Sequence, residues 1–162
     1  MIKVAVLGSG VVGEVLSNGF LAHGFEVVRG SREPAKLADW AAKAGPNASA
    51  ASFADAAARA SLIVLAVKGT AAEDAVKLVG PERLAGKTVI DTTNPIAEAP
   101  PDRGVLHYFT TLERSLMERL QALAPGAKFV KAFSCVGNAL MVQPDFGGLR
   151  PTMFICGNDA AA

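Results

Sequence analysis

The residues with the clearest chemistry lie close to the N-terminus, where the chain reads Gly8-Ser9-Gly10-Val11-Val12-Gly13. A GxGxxG pattern is a weak signal alone, but its surroundings strengthen it. An apolar strand-like run, Lys3–Leu7, precedes it, and an apolar helix-like run, Val11–His23, opens inside it. A second strand, Glu26–Gly30, ends about 20 residues further on, the spacing of a dinucleotide-binding βαβ unit. Gly8 then permits the tight turn, Gly10 lets the backbone approach a pyrophosphate, and Gly13 lets the helix pack close to the sheet. The unpaired amides of the helix N-terminus and its dipole favour a phosphate there. The competing reading is a tight strand–helix turn that holds no ligand.

The end of the second strand bears on which nucleotide is held. A site for NAD(H) usually places a carboxylate there to grip the ribose 2′-hydroxyl. This chain has Arg29-Gly30-Ser31-Arg32 instead. Ser31 can donate a hydrogen bond, and Arg32 offers a planar, two-pronged, charged contact to a 2′-phosphate. NADP(H) is therefore the expected cofactor. Lys36, one helical turn beyond Arg32, adds a further candidate charge, while Glu33 counts against it. The alternative is a solvated loop with an incidental arginine.

Three more strand ends supply candidates. Ala66-Val67-Lys68 lies where the middle of a dinucleotide would pass, and Thr92-Thr93-Asn94-Pro95 follows the next strand. Asn94-Pro95 is either a turn signal or an amide that positions a nicotinamide or ribose. Ser134 and Cys135, in Phe133-Ser134-Cys135-Val136-Gly137-Asn138, fall on the substrate side. No nucleophile elbow, paired carboxylates or histidine triad is present. His107 is the one titrating acid to consider in the second half, and a loop histidine is the simpler account of it. Direct hydride exchange between cofactor and substrate needs positioning more than proton transfer by the protein, and this inventory suits it. Cys135 and Cys156, far apart in apolar company, are expected to be buried reduced thiols, and no metal-ligand spacing occurs.

The elements that must hold these groups alternate along the chain. Strand candidates are Lys3–Leu7, Glu26–Gly30, Leu62–Val67, Thr88–Asp91, Lys128–Phe133 and Thr152–Cys156, with a weak one at Ala48–Ala51. Most are short and apolar without alternation, as in strands covered on both faces. Helices fill the gaps: Val11–His23 stops at Gly24, and another runs from Glu33-Pro34 to Gly45-Pro46. Thr70-Ala71-Ala72-Glu73 and Thr110-Thr111-Leu112-Glu113 read as capping boxes, and Leu112, Leu116, Leu120 and Leu123 follow as a core-facing stripe. The fold class expected is α/β, a doubly wound, mainly parallel sheet of the Rossmann type, in one domain spanning residues 1–162. The irregular stretches Ile96–Phe109 and Pro144–Pro151 follow strand C-termini, and are either substrate loops or plain surface loops. The chain stops at Ala162, where a further helix is expected, so a C-terminal segment is expected to be lacking.

Bulk properties agree. With 162 residues, 51% of them hydrophobic and 19% charged, a sizeable core is affordable and disorder is not expected. A net charge of +1 with no basic block argues against a nucleic-acid partner. No apolar run approaches the ~20 residues that span a bilayer, and Met1-Ile2-Lys3 runs straight into the first strand. A cytoplasmic protein with a small-molecule substrate and no membrane partner is expected.

Together, Val6–Gly13, Gly30-Ser31-Arg32, Asp91-Thr92-Thr93-Asn94-Pro95 and Lys131-Ala132-Phe133 with Val136-Gly137-Asn138 resemble the NADPH-dependent coenzyme F420 reductases. These are the F420:NADP oxidoreductases, to which STEAP-type ferric-reductase domains are related. The resemblance runs from Met1 to about Asn158. It implies reversible hydride transfer between NADP(H) and a deazaflavin, coenzyme F420, as second substrate, and a homodimer. It assigns phosphate binding to Ser9, Val11 and Val12, and the 2′-phosphate to Ser31 and Arg32. Nicotinamide-side contacts fall around Val67, Asn94 and Ala132. Many relatives have Asn-Thr where this chain has Ser134-Cys135, so the substrate side is expected to differ. Two other readings stand beside this one: an NADPH-dependent reductase of a flavin, ferric complex, imine or carbonyl, and a non-enzymatic NADP(H)-binding module.

Overall fold

The computed structural model describes residues 2–162. Seven strands form one sheet: β1 (Lys3–Leu7), β2 (Glu26–Gly30), β3 (Ala48–Ala51), β4 (Leu62–Leu65), β5 (Thr88–Asp91), β6 (Lys128–Lys131) and β7 (Cys156–Gly157). Their order is β3-β2-β1-β4-β5-β6-β7, parallel throughout except for β7 at the edge. Five helices accompany them: α1 (Val11–Ala22), α2 (Ala38–Ala44), α3 (Phe53–Arg59), α4 (Ala72–Val79) and α5 (Leu116–Leu123). The chain reverses direction across the sheet between β3 and β4, so the crevice above β1 and β4 is the switch point where nucleotides bind in this architecture.

Both faces of the central strands are covered, as their unbroken apolar character predicts. Val4, Val6, Val27 and Val64 pack with Leu16 of α1, and Trp40 of α2 lies against that cluster. Ala5, Leu7, Val28, Ile63 and Leu65 point the other way, against α3, α4 and α5. The weak strand at Ala48–Ala51 is real; it pairs in register with β2 from Val27↔Ala48 to Gly30↔Ala51.

Several boundaries differ from the sequence expectation. The segment opened by Pro34 begins as a 3₁₀ turn to Leu37 before α2 starts. Thr70 caps nothing: it sits in a 3₁₀ turn that delays α4 to Ala72, and its hydroxyl faces Glu98 at 3.5 Å. The real capping box is Ser115/Glu118, not Thr110/Glu113. Leu116 and Leu120, which follow Ser115, fill the core, whereas Leu112 lies outside the helix, 104% exposed. The strand expected at Thr152–Cys156 shrinks to Cys156–Gly157, antiparallel to β6, because no crossover helix joins the two. Cys135 and Cys156 are both free and exposed rather than buried. They lie beyond the last helix-covered strand, where no layer packs over them. Among the described residues, no helix is long and apolar enough to cross a membrane.

Candidate functional site

β1 ends at Leu7 and the chain turns at Gly8, whose φ of +147° suits glycine. A Cβ there would also overlap the Ala66 carbonyl oxygen, so the turn presses against the end of β4. Gly10 forms the N-cap of α1 with no side-chain cap, and nothing lies near the position a Cβ would take. The first amides of α1 lack helical partners, and the space beside them is open. A Cβ on Gly13 would stand 2.6 Å from the Gly8 carbonyl oxygen, so helix and turn are packed backbone to backbone. The turn at Gly8 and the close packing at Gly13 match what the glycine spacing implied, and the open face at Gly10 leaves room for a pyrophosphate.

Two connected recesses open from this loop. The first, ≈ 340 Å³, runs from Gly8, Ser9 and Gly10 to Ser31 and Arg32 on one side and to Ala66, Val67 and Lys68 on the other. The second, ≈ 790 Å³, shares Gly10 and Ala66–Lys68, and extends past Val11 and Val12 to Thr92, Asn94 and the Ile96–Glu98 loop. A dinucleotide laid across Gly10 would therefore have room at both ends.

The charges around the first recess are uneven. Among the described residues, Arg32 and Lys68 form no ion pair, and both line it. The neighbouring carboxylates are each held by a lysine of their own. Glu33 is paired with Lys36 at 2.8 Å and Asp74 with Lys77 at 3.3 Å. The Lys36 hydrogen bond and charge keep the Glu33 carboxyl below its ordinary range. Lys36 thus neutralises Glu33 rather than lining the cleft. The Ser31 hydroxyl accepts the Glu33 N–H at 3.1 Å, which leaves its own O–H to donate.

Behind the second recess lies a buried ion pair. Asp91, fully buried, accepts from the Thr93 N–H at 2.9 Å, the Thr93 hydroxyl at 2.7 Å and Lys131 Nζ at 3.0 Å. Lys131 also donates to the Thr93 carbonyl. This bracing sets the Thr92–Pro95 turn. Asn94 lines the recess, and its side-chain amide donates to the Ser134 carbonyl at 3.3 Å, tying the ends of β5 and β6 together. Pro95 packs beside Gly69, where a Cβ would overlap the Asn94 carbonyl.

Of the remaining candidates, Ala132 is buried at the end of β6, and Ser134 meets the site through its carbonyl alone. Cys135 lies outside both recesses, its sulfur 4.0 Å from that of Met153. His107 is exposed on the Ile96–Phe109 loop, which folds back on itself through the Ile96↔Tyr108 bridge. Sequence reasoning missed Gly69, Glu98 and Arg29. A glycine just past a strand end signals a close backbone approach, and a lone arginine in a valine-rich strand signals a buried charge. Glu98 carried no such signal.

The sequence model of the family described as NADP oxidoreductase, coenzyme F420-dependent, matches residues 3–95. A candidate F420-dependent NADP-reductase from Arthrobacter sp. FB24 is 36% identical, with a TM-score of 0.89 over 99% of this chain and 76% of its own. A hypothetical protein from Sinorhizobium meliloti is 31% identical, with a TM-score of 0.78 over the same shares. A reductive aminase from Aspergillus terreus, solved with NADPH and ethyl levulinate, shares the fold at 23% identity and a TM-score of 0.64, over 86% of this chain and 43% of its own.

Proposed function

The chain belongs to the coenzyme F420-dependent NADP oxidoreductase family, and we propose that it moves a hydride directly between NADP(H) and a deazaflavin, coenzyme F420. It is an NADP-dependent oxidoreductase by that membership; the acceptor and the residue roles are our reading. The observation that carries the reading is the cleft itself. A glycine turn with an open face joins a recess whose two unpaired cations are Arg32 and Lys68 to a wider chamber with room for a second ring system.

When bound, NADP(H) supplies the hydride at its nicotinamide ring. The chain's residues bind and orient. The Ser9, Val11 and Val12 backbone receives the pyrophosphate, Ser31 and Arg32 take the 2′-phosphate, and Ala66–Lys68 supports the middle of the molecule. Asn94, Pro95 and Ala132 shape the nicotinamide end, and Ser134 borders the substrate side through its carbonyl, while Cys135 stands apart from it. The titratable side chains lining the wider chamber are Lys68 and Glu98. Glu98 is exposed, so any proton accompanying the hydride exchanges with water. Glu98 is also the one observation favouring another acceptor, because a carboxylate at the chamber could protonate a reduced imine or carbonyl. The same reading makes the protein a homodimer, which sedimentation would test.

Purified protein mixed with NADPH and F420 should bleach the deazaflavin absorbance as NADPH is consumed. Tight NADPH binding without bleaching would sink the F420 reading, and turnover of an imine or carbonyl lost in Glu98→Gln would replace it.

A further inference from the structure

The glycine loop rests on a buried cation that its own motif does not contain. Arg29, the fourth residue of β2, is 1% exposed and points beneath the turn, close to Gly13. Its Nη2 donates to the carbonyls of Gly8 at 3.4 Å and Gly10 at 3.3 Å, and Nη1 lies 3.6 Å from the Glu14 carboxylate. The guanidinium sits 4.7 Å from the centre of the Trp40 ring, and the Trp40 indole N–H is held by Asn18 at 2.9 Å. Arg29 Nε has no hydrogen-bond partner. Burial pulls this guanidinium below its ordinary pKa while Glu14 opposes the shift. It stays charged, as arginine does throughout the accessible pH range.

A hydrocarbon side chain would fill this space in a strand that otherwise reads Val27-Val28 without stripping water from a cation. The carbonyls it takes suggest what the arginine adds. In a trans peptide the C=O and the next N–H point in opposite directions. Drawing the Gly8 carbonyl down onto Arg29 therefore turns the Ser9 N–H up into the open cleft. The Gly10 carbonyl, which also accepts the Glu14 N–H at 3.1 Å in the first turn of α1, is braced by Arg29 in the orientation that leaves the Val11 N–H facing the cleft. The same contacts polarise both peptides, so their N–H groups become better donors to an anion.

We propose that Arg29 is a positioning residue for the pyrophosphate, holding the Ser9 and Val11 amides aimed into the cleft from the buried side of the loop, with Trp40 as its backing plate. Arg29 itself touches no ligand. The proposal rests on the reading of this loop as the NADP(H) phosphate site.

Three ligands separate its effect from general damage: NADPH; 2′,5′-ADP, which carries a phosphate at the pyrophosphate position; and 2′-AMP, which does not. Arg29→Met should weaken NADPH and 2′,5′-ADP by about tenfold, the scale of charge-assisted contacts, and 2′-AMP by less than about twofold. Trp40 is the one tryptophan in the chain. Its emission should shift when wild-type protein is saturated with 2′,5′-ADP, and that shift should vanish in Arg29→Met. A folded Arg29→Met protein that binds all three ligands as wild type does, or loses all three equally, overturns the proposal. Should Arg29→Met not fold, Arg29→Lys keeps the charge without the fork and is read in the same way: selective loss of 2′,5′-ADP supports the role, and unchanged or uniform binding overturns it. Wild-type protein that binds neither NADPH nor 2′,5′-ADP would instead overturn the phosphate-site reading and this proposal with it.

Discussion

Arg32 and its neighbours show how a preference between two nearly identical cofactors can rest on which charges already have partners. Glu33 is one residue from Arg32 and would repel a 2′-phosphate, yet Lys36 pairs with it and leaves Arg32 free. The same division separates Asp74, paired with Lys77, from the free Lys68 across the recess. Arg32→Ala should therefore weaken NADPH by roughly 10- to 100-fold, the worth of a charged hydrogen-bonded contact, and NADH by much less. A titration showing equal loss for both nucleotides would refute a 2′-phosphate role for Arg32. Only the type and position of Ser31 and Arg32 were legible in the sequence. Their freedom from partners was not, because it depends on which of several nearby charges each side chain reaches in the folded chain, and it is Lys36 that reaches Glu33.

At the scale of elements, the ends of β5 and β6 are joined by a buried network in addition to the ladder between them. Asp91 ends β5 with no exposure, and Lys131, 19% exposed, supplies its counter-charge from β6. Lys131→Met would leave a buried carboxylate without that partner, at a cost of about 3 kcal/mol in unfolding free energy measured in urea. It should also loosen the Thr93–Asn94 turn and raise KM for the nicotinamide nucleotide. A change of under about 0.5 kcal/mol, the usual surface effect, would show that the two Thr93 contacts suffice to hold Asp91. The sequence placed Asp91 at the end of its strand, but ran the next one past Lys131 to Phe133, where β6 stops at Lys131. Their pairing spans 40 residues and follows from the parallel register Asp91↔Lys131. No local pattern encodes it.

Across the whole molecule the two ends of the sheet differ. From β2 to β5 both faces are packed, whereas beyond β6 the chain runs as loops with Leu149, Phe154 and Ile155 largely exposed. Both cysteines lie in that half. In native protein, without denaturant, a thiol reagent such as DTNB should therefore titrate two groups per chain at rates close to that of a free thiol. Protection of either until unfolding would mean that another layer covers this edge in solution.

What the sequence determined by itself was whatever depends on short-range order. Glycine spacing set the turn at Gly8 and the helix start at Gly10, and unbroken apolar runs marked β1, β2 and β5 to the residue, because a strand buried on both faces admits little else. The tertiary structure alone decided that Ser115 and not Thr110 caps α5, which carboxylates are neutralised, and that Arg29 faces inward beneath the glycine loop. Each of those outcomes turns on partners brought together from distant parts of the chain. Burial of a polar group is decided by the partner that satisfies it, and that partner lies outside any local window of sequence.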